Sequence, residues 1–271
     1  MQGFFAEKAL IFQIFRPKSG NLQAASAVVQ YDYPKKEVYA MPKVNRQTLA
    51  VLPAAVLALF GILFALTDLT AGKVFTALLG AGYAAWFTLS LRSGKSIAPA
   101  GNISACALIP AALLTALAAI PAFSPDVKPG SLALLLCAVC FGLQAAAALM
   151  KKSHVLLHLA LTVSLILKLI HDFRLWSVDP QVSDYCFRLF ALLCTLLAAL
   201  YHGGMQLRVG KRKPAAFLCL LGIVLCGTAA GGSVSNLCFF LGCACYLFSF
   251  LLQLLQRRKK RPAAEPAPQP E

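Results

Sequence analysis

The sequence has few charged residues and very few acidic ones. Asp, Glu, Lys and Arg together make up 13% of its 271 residues, and only 10 residues are Asp or Glu. Soluble domains carry about 25% charged residues, so this composition excludes an ordinary soluble domain. No acidic residue falls in the middle of a long apolar block, whereas ion-coupled transporters usually place carboxylates near the middle of the membrane. The shortage of acids therefore argues against a proton pump, a cation exchanger or a transporter of divalent metals.

The apolar residues, 59% of the chain, occur in long blocks and not at the periods of amphipathic helices or strands. A helix needs about 20 predominantly apolar residues to cross the hydrocarbon core of a bilayer. Eight blocks approach this length, and we number them spans 1 to 8: Leu49–Leu66, Val74–Leu91, Ile103–Ile120, Ser131–Met150, Val155–Ile170, Tyr185–Tyr201, Ala215–Ala230 and Leu237–Leu255. The sequence therefore predicts an all-α transmembrane helix bundle over residues 49–255.

The basic residues, which give the chain a formal net charge of +15, are concentrated in alternate gaps between the spans. They precede span 1, follow span 8, and lie between spans 2 and 3, spans 4 and 5, and spans 6 and 7. Lys and Arg are enriched in cytoplasmic loops, so we predict cytoplasmic termini and a multi-pass protein of a cell membrane, expected to be that of a bacterium. The charge thus indicates topology and contact with the lipid bilayer, and not with a nucleic acid.

The two ends of the chain lie outside the apolar blocks. Residues 1–48 are expected to form a cytoplasmic or interfacial segment, because the apolar stretch Phe4–Phe15 is too short to cross a membrane. Met41 begins a short basic leader directly before span 1, so an alternative is that translation starts there and residues 1–40 are not native. Residues 256–271 are basic and then rich in Pro, Ala and Glu, and we expect a disordered cytoplasmic tail.

Polar residues of the apolar region are concentrated on spans 5 and 6 and at their ends, where all 4 histidines of the chain lie. At about 100° per residue, two sets of side chains each share one helix face. They are His154, His158, Leu161, Leu165, Lys168 and Asp172 on span 5, and Asp184, Arg188, Thr195 and His202 on span 6. Polar groups that face lipid cost several kcal/mol, so we predict that both faces point into the bundle.

The outer ends of these two faces suggest an anion site. Lys168 with Asp172, and Arg188 with Asp184, are i,i+4 pairs that can bridge on their own helix. In both pairs the cation is the deeper member, and two cations below the start of span 6 would attract an anion. The predicted ligand-binding residues are Lys168, His171, Asp172, Arg174, Asp184 and Arg188. The alternative is two structural ion pairs whose long side chains reach lipid phosphates.

The inner ends of the same faces allow a metal hypothesis. His154 and His158 have the i,i+4 spacing of metal ligands, and His202 could approach them from span 6. The alternative for these histidines is hydrogen bonding between helices or at the membrane surface. No cofactor is expected.

Small residues four positions apart occur on two spans. Gly227 lies on span 7 and Gly231 directly after it, and Gly80 and Ala84 lie on span 2. This spacing lets helix backbones approach closely, so it predicts tight helix packing and not a binding site.

The sequence leaves three classes of function open. A small-molecule or anion permease, or a subunit of one, would use the polar residues of spans 5 and 6. A non-transporting accessory or regulatory protein, working with another membrane protein, would explain the shortage of charges in mid-membrane. A membrane-embedded enzyme is less favoured, because no nucleophile has an adjacent base.

Overall fold

A computed structural model of the chain describes residues 51–91, 102–120, 129–150, 154–176, 182–207 and 209–255. These residues form eight α-helices and contain no strand. The helices are α1 (Leu52–Leu66), α2 (Thr70–Ser90), α3 (Asn102–Ala119), α4 (Pro129–Leu149), α5 (Val155–Trp176), α6 (Val182–Gln206), α7 (Arg212–Ala229) and α8 (Val234–Leu255). The predicted segments 1–48 and 256–271, and the alternative start at Met41, lie outside the described residues.

Five of the helices are long and apolar enough to cross a membrane. These segments are Ser131–Leu149, Val155–Leu175, Tyr185–Gln206, Arg212–Ala229 and Val234–Leu255, while α1 and the Ser104–Ala119 part of α3 are shorter apolar helices. Large apolar side chains also cover the outside of the described bundle, and Leu78, Leu89 and Leu156 are each at least 67% exposed. Soluble monomers rarely expose a continuous apolar surface of this extent. The chain is therefore an integral membrane protein built from α-helices.

The helices α3 to α7 follow one another around the bundle, each packed against the next, and α8 packs against both α7 and α3. Aromatic side chains of α8 also reach the remaining helices. The Tyr246 ring lies 5.1 Å from that of Phe141 on α4, and Phe239 lies under the Lys168 ammonium of α5. This arrangement makes α8 one of the most buried helices in the bundle, and it brings the inner faces of α4, α5 and α6 toward one helix.

The α1–α2 pair packs on the outside of α7 through small residues. A Cβ atom on Gly227 would lie 3.0 Å from the Cα of Ala58, and one on Gly231 would lie 2.8 Å from the Ala65 carbonyl oxygen. On α2, a Cβ on Gly80 would lie 2.7 Å from Val224. The prediction of close helix packing is therefore confirmed for Gly80 and Gly227. Gly231 lies beyond the end of α7, in the turn before α8, where it packs against α1 and does not form a helix-helix contact of its own.

The polar face predicted for span 5 points into the bundle. His158, Leu161, Leu165, Lys168 and Asp172 are all buried. His154 is the exception, because it precedes the first residue of α5 and is exposed. On α6, Thr195 and His202 are buried and Arg188 is half-buried, while the side chain of Asp184 lies outside the described residues.

Candidate functional site

The helix bundle has two ends, and each is named after a residue that lies there. The Asp68 end carries the α1–α2 turn at residues 67–69 and the α7–α8 turn at residues 230–233. The His202 end carries the last turn of α6 and the first turns of α5 and α7.

A cavity of about 120 Å³ opens at the Asp68 end, between the α1–α2 pair and the rest of the bundle. It is lined by Asp68, Lys73, Arg188, Thr228, Ala229, Gly231 and Gly232. Two of these residues are cations and one is an anion, so the lining carries a formal charge of 2 − 1 = +1. We call this the Asp68 cavity.

Arg188 is held against the α7–α8 turn. Its Nη2 donates a hydrogen bond of 2.9 Å to the Gly231 carbonyl oxygen, and its guanidinium carbon lies 5.8 Å from the centre of the Tyr185 ring. Gly232 has φ of +95°, and a Cβ atom there would overlap the Arg188 guanidinium. The left-handed backbone favours glycine at 232, whereas the overlap could be relieved by a movement of the Arg188 side chain.

Lys73 enters the cavity from the first turn of α2. It is only 4% exposed, and its Nζ lies 3.4 Å from the Asp68 Oδ1. The Asp68 side chain is 83% exposed, so this ion pair joins a buried cation to a carboxylate that is largely in solvent. The N-terminal turn of α2 also contributes positive partial charge near Lys73.

Lys168 and Asp172 form a separate ion pair on α5. The ammonium bonds the carboxylate one helical turn away, and both side chains are buried. Lys168 also lies 5.8 Å from the centre of the Phe239 ring. The predicted bridge between these two residues is confirmed.

The other predicted ligand-binding residues have different surroundings. His171 is half-buried and Arg174 is exposed near the end of α5. Of the six predicted residues, four have described side chains on α5, and Arg188 of α6 is the one that lines the cavity. Anion binding by this set remains a prediction.

Sequence reasoning missed the other side chains of the Asp68 cavity. Asp68 and Lys73 are one acid and one base in the gap between spans 1 and 2, which by themselves predict no site. The spacing of Gly231 from Gly227 predicts helix packing and not a cavity. The one available signal was a lysine at the very edge of span 2, where a buried cation would be unusual.

A second polar cluster, the His202 cluster, lies at the opposite end of the bundle. It consists of five buried side chains from four helices: Gln144, His158, His202, Tyr246 and Gln253. The His158 and His202 rings are 4.0 Å apart, and His202 Nδ1 lies 3.3 Å from the Tyr246 hydroxyl. Gln253 also hydrogen bonds to His202.

Two of the three histidines in the metal hypothesis therefore meet. His154 is exposed at the start of α5. Across the described helices, no group of three His, Cys, Asp or Glu side chains is arranged to hold a metal ion. Within those same residues, two buried polar atoms of the His202 cluster have no hydrogen-bond partner, namely His158 Nδ1 and Gln144 Oε1.

Comparison of the chain with protein families, with curated proteins and with solved structures finds no match.

Proposed function

We propose that the protein binds a small anion in the Asp68 cavity, and that it acts as an anion permease or as the membrane subunit of one. The observation that carries the proposal is the pair of cations, Lys73 and Arg188, on one cavity of a membrane protein. Ionisable residues within membrane-spanning segments are rare, and they usually mark a functional site even where they are paired. Arg and Lys are the side chains that bind carboxylate, phosphate and related oxyanions.

The cavity is partly open, and it has room for a small ligand or for the small anionic part of a larger one. Its volume is about 120 Å³, and an engineered cavity of about 150 Å³ holds one benzene molecule. A ligand of about five or six non-hydrogen atoms, such as an inorganic oxyanion or a short carboxylate, matches this space. The phosphate of a lipid head group shares the same chemistry.

Binding is tested first by thermal unfolding of the detergent-purified protein in a series of oxyanions at constant ionic strength. A ligand of the folded state adds about 2.7 kcal/mol at a hundredfold excess over its Kd. Arg188→Gln and Lys73→Gln should each remove this stabilisation. Lys211→Gln is the matched control, because Lys211 is exposed just before α7 at the far end of the bundle. Equal ligand-induced shifts in Arg188→Gln, Lys73→Gln and Lys211→Gln would reject the proposal.

Reconstitution into vesicles distinguishes a free anion from a lipid head group as the ligand of the cavity. Vesicles of phosphatidylcholine alone and vesicles containing phosphatidylglycerol are compared for competition with inorganic phosphate. Loss of phosphate binding only with the anionic lipid would assign the cavity to a head group.

Transport is tested in the same vesicles. Saturable uptake of the bound anion, reduced by Arg188→Gln, supports a permease. Binding without uptake would favour the accessory role, in which the anion site stabilises or regulates a complex with another membrane protein.

We further propose that all eight helices cross the membrane, that both termini are cytoplasmic, and that the Asp68 end faces outward. The alternation of basic gaps supports this topology. A C-terminal green fluorescent protein fusion should fluoresce, and a C-terminal alkaline phosphatase fusion should be inactive. The reverse pair of results would invert the topology and place the cavity on the cytoplasmic side.

A further inference from the structure

The Asp68 cavity contains its own anion. Asp68 is the acidic residue of the described lining, and it lies 3.4 Å from Lys73, one of the two cations. With Asp68 in place the lining has a net charge of +1, whereas without it the charge would be +2. The charge that an incoming ligand meets is thus set by one carboxylate.

We infer that Asp68 makes the cavity selective for anions of charge −1 over anions of charge −2. This inference rests on the proposed anion site and specifies its ligand class. A monoanion beside Arg188 and the Lys73–Asp68 pair gives a neutral site. A dianion leaves one negative charge in excess and repels the Asp68 carboxylate.

The position of Asp68 suits this role. Its backbone φ is +51°, and it is the one non-glycine residue with positive φ among those that the structure describes. The tight α1–α2 turn places Asp68 on the lining of the cavity, with its carboxylate 3.4 Å from the Lys73 ammonium. Because the Asp68 side chain is 83% exposed, it can be replaced without opening a void in the core.

The left-handed backbone at Asp68 also allows the charge to be removed without disturbing the turn. Asn and Gly both adopt a left-handed conformation readily, so Asp68→Asn and Asp68→Gly remove the charge while keeping the turn. Asn keeps nearly the same side-chain size, and Gly removes the side chain altogether. An effect of charge alone should be the same in both variants.

The experiment is isothermal titration calorimetry of the full chain with perchlorate and with sulfate at constant ionic strength. These two ions have the same tetrahedral shape but differ in charge and in how strongly water hydrates them. The difference in hydration cancels when the affinity ratio of a variant is compared with that of the wild type. The wild type should bind perchlorate more tightly. In both variants the ratio of sulfate affinity to perchlorate affinity should rise about two- to fivefold, which corresponds to the coupling of a largely exposed charge pair.

An unchanged ratio in both variants, with binding still lost in Arg188→Gln, would overturn the selectivity and leave the anion site intact. Tighter binding of sulfate than of perchlorate by the wild type would also overturn it. If neither ion binds the wild type or the Asp68 variants, the proposed anion site fails and the inference fails with it. A change in Asp68→Gly alone would assign the effect to space at the cavity mouth and would reject the charge argument.

Discussion

The contact between α1 and α7 predicts a large cost for one added methyl group. In Gly227→Ala the new Cβ would overlap the Ala58 carbonyl oxygen and lie 3.0 Å from the Ala58 Cα. Both atoms belong to the backbone of α1, so no side-chain rotation can relieve the overlap. The two helices must therefore separate, and the small-residue contacts on either side are weakened together.

The expected magnitude follows from packing. Inserting a methylene or methyl group into a well-packed core costs about 1–3 kcal/mol, and the backbone overlap places Gly227→Ala at the upper end. Replacing a helical glycine by alanine also brings a gain of about 0.8–1.0 kcal/mol from helix propensity. The matched control is Gly142→Ala on α4, where an added Cβ has nothing within 4 Å, so it has the propensity gain without the overlap.

The assay is equilibrium unfolding of both variants and of the wild type in mixed detergent micelles. Gly227→Ala should be less stable than Gly142→Ala by about 1–3 kcal/mol, because the propensity terms cancel in the comparison. Equal stabilities would refute the reasoning, since they would show that α1 is not packed on α7 at this distance.

Two further predictions concern buried polar groups. Lys168→Met alone should lower stability by about 3–5 kcal/mol, since it leaves Asp172 buried without its partner, whereas adding Asp172→Leu should restore stability to within about 1 kcal/mol of the wild type. A double variant as unstable as the single one would contradict a structural ion pair, as the same unfolding assay would show. Tyr246→Phe should cost about 1–3 kcal/mol, because it removes the hydroxyl that meets His202 Nδ1. Tyr201→Phe, at a half-buried tyrosine, is its control. Equal losses of stability in the two variants would show that the hydrogen bond between Tyr246 and His202 does not stabilise the protein.

The structure also explains why Lys168 is a weaker anion-site candidate than Lys73. Asp172 lies one turn from Lys168 on the same helix, and both side chains are buried together. A bound anion would have to displace the Asp172 carboxylate from Lys168. The displaced carboxylate would then be buried without a partner, which is costly. Asp68 is mostly in solvent, so it competes much less strongly for Lys73.

Arg188 has a structural role beside the proposed one. Its hydrogen bond to Gly231 satisfies a carbonyl just beyond the C-terminus of α7, where a positive charge is favourable. Arg188→Gln should therefore lower stability without ligand as well as remove the ligand-induced shift. For this reason, the measure of binding is the shift caused by the anion and not the stability of the unliganded variant.

The sequence by itself determined the class of protein and the direction of one helix face. Long apolar blocks with few charges are stable only inside a lipid bilayer. Because the bilayer offers no water, the backbone groups must hydrogen bond to one another, which an α-helix allows within one segment. The spacing of His158, Lys168 and Asp172 placed them on one face, and the cost of exposing them to lipid predicted that this face is buried. The close packing of Gly227 against α1 also follows from the sequence alone, because only small residues allow two helix backbones to touch.

The tertiary structure decided which polar groups meet. Residues 68, 73, 188 and 231 are far apart along the chain, and they line one cavity because the α1–α2 pair packs on α7. No periodicity within one helix encodes that contact, since it depends on which of several apolar faces pair in three dimensions. The same holds at the other end, where the packing of α8 against α6 brings Tyr246 to His202. Local spacing therefore predicts the face of a helix on which a residue lies, and only helix packing determines its partner.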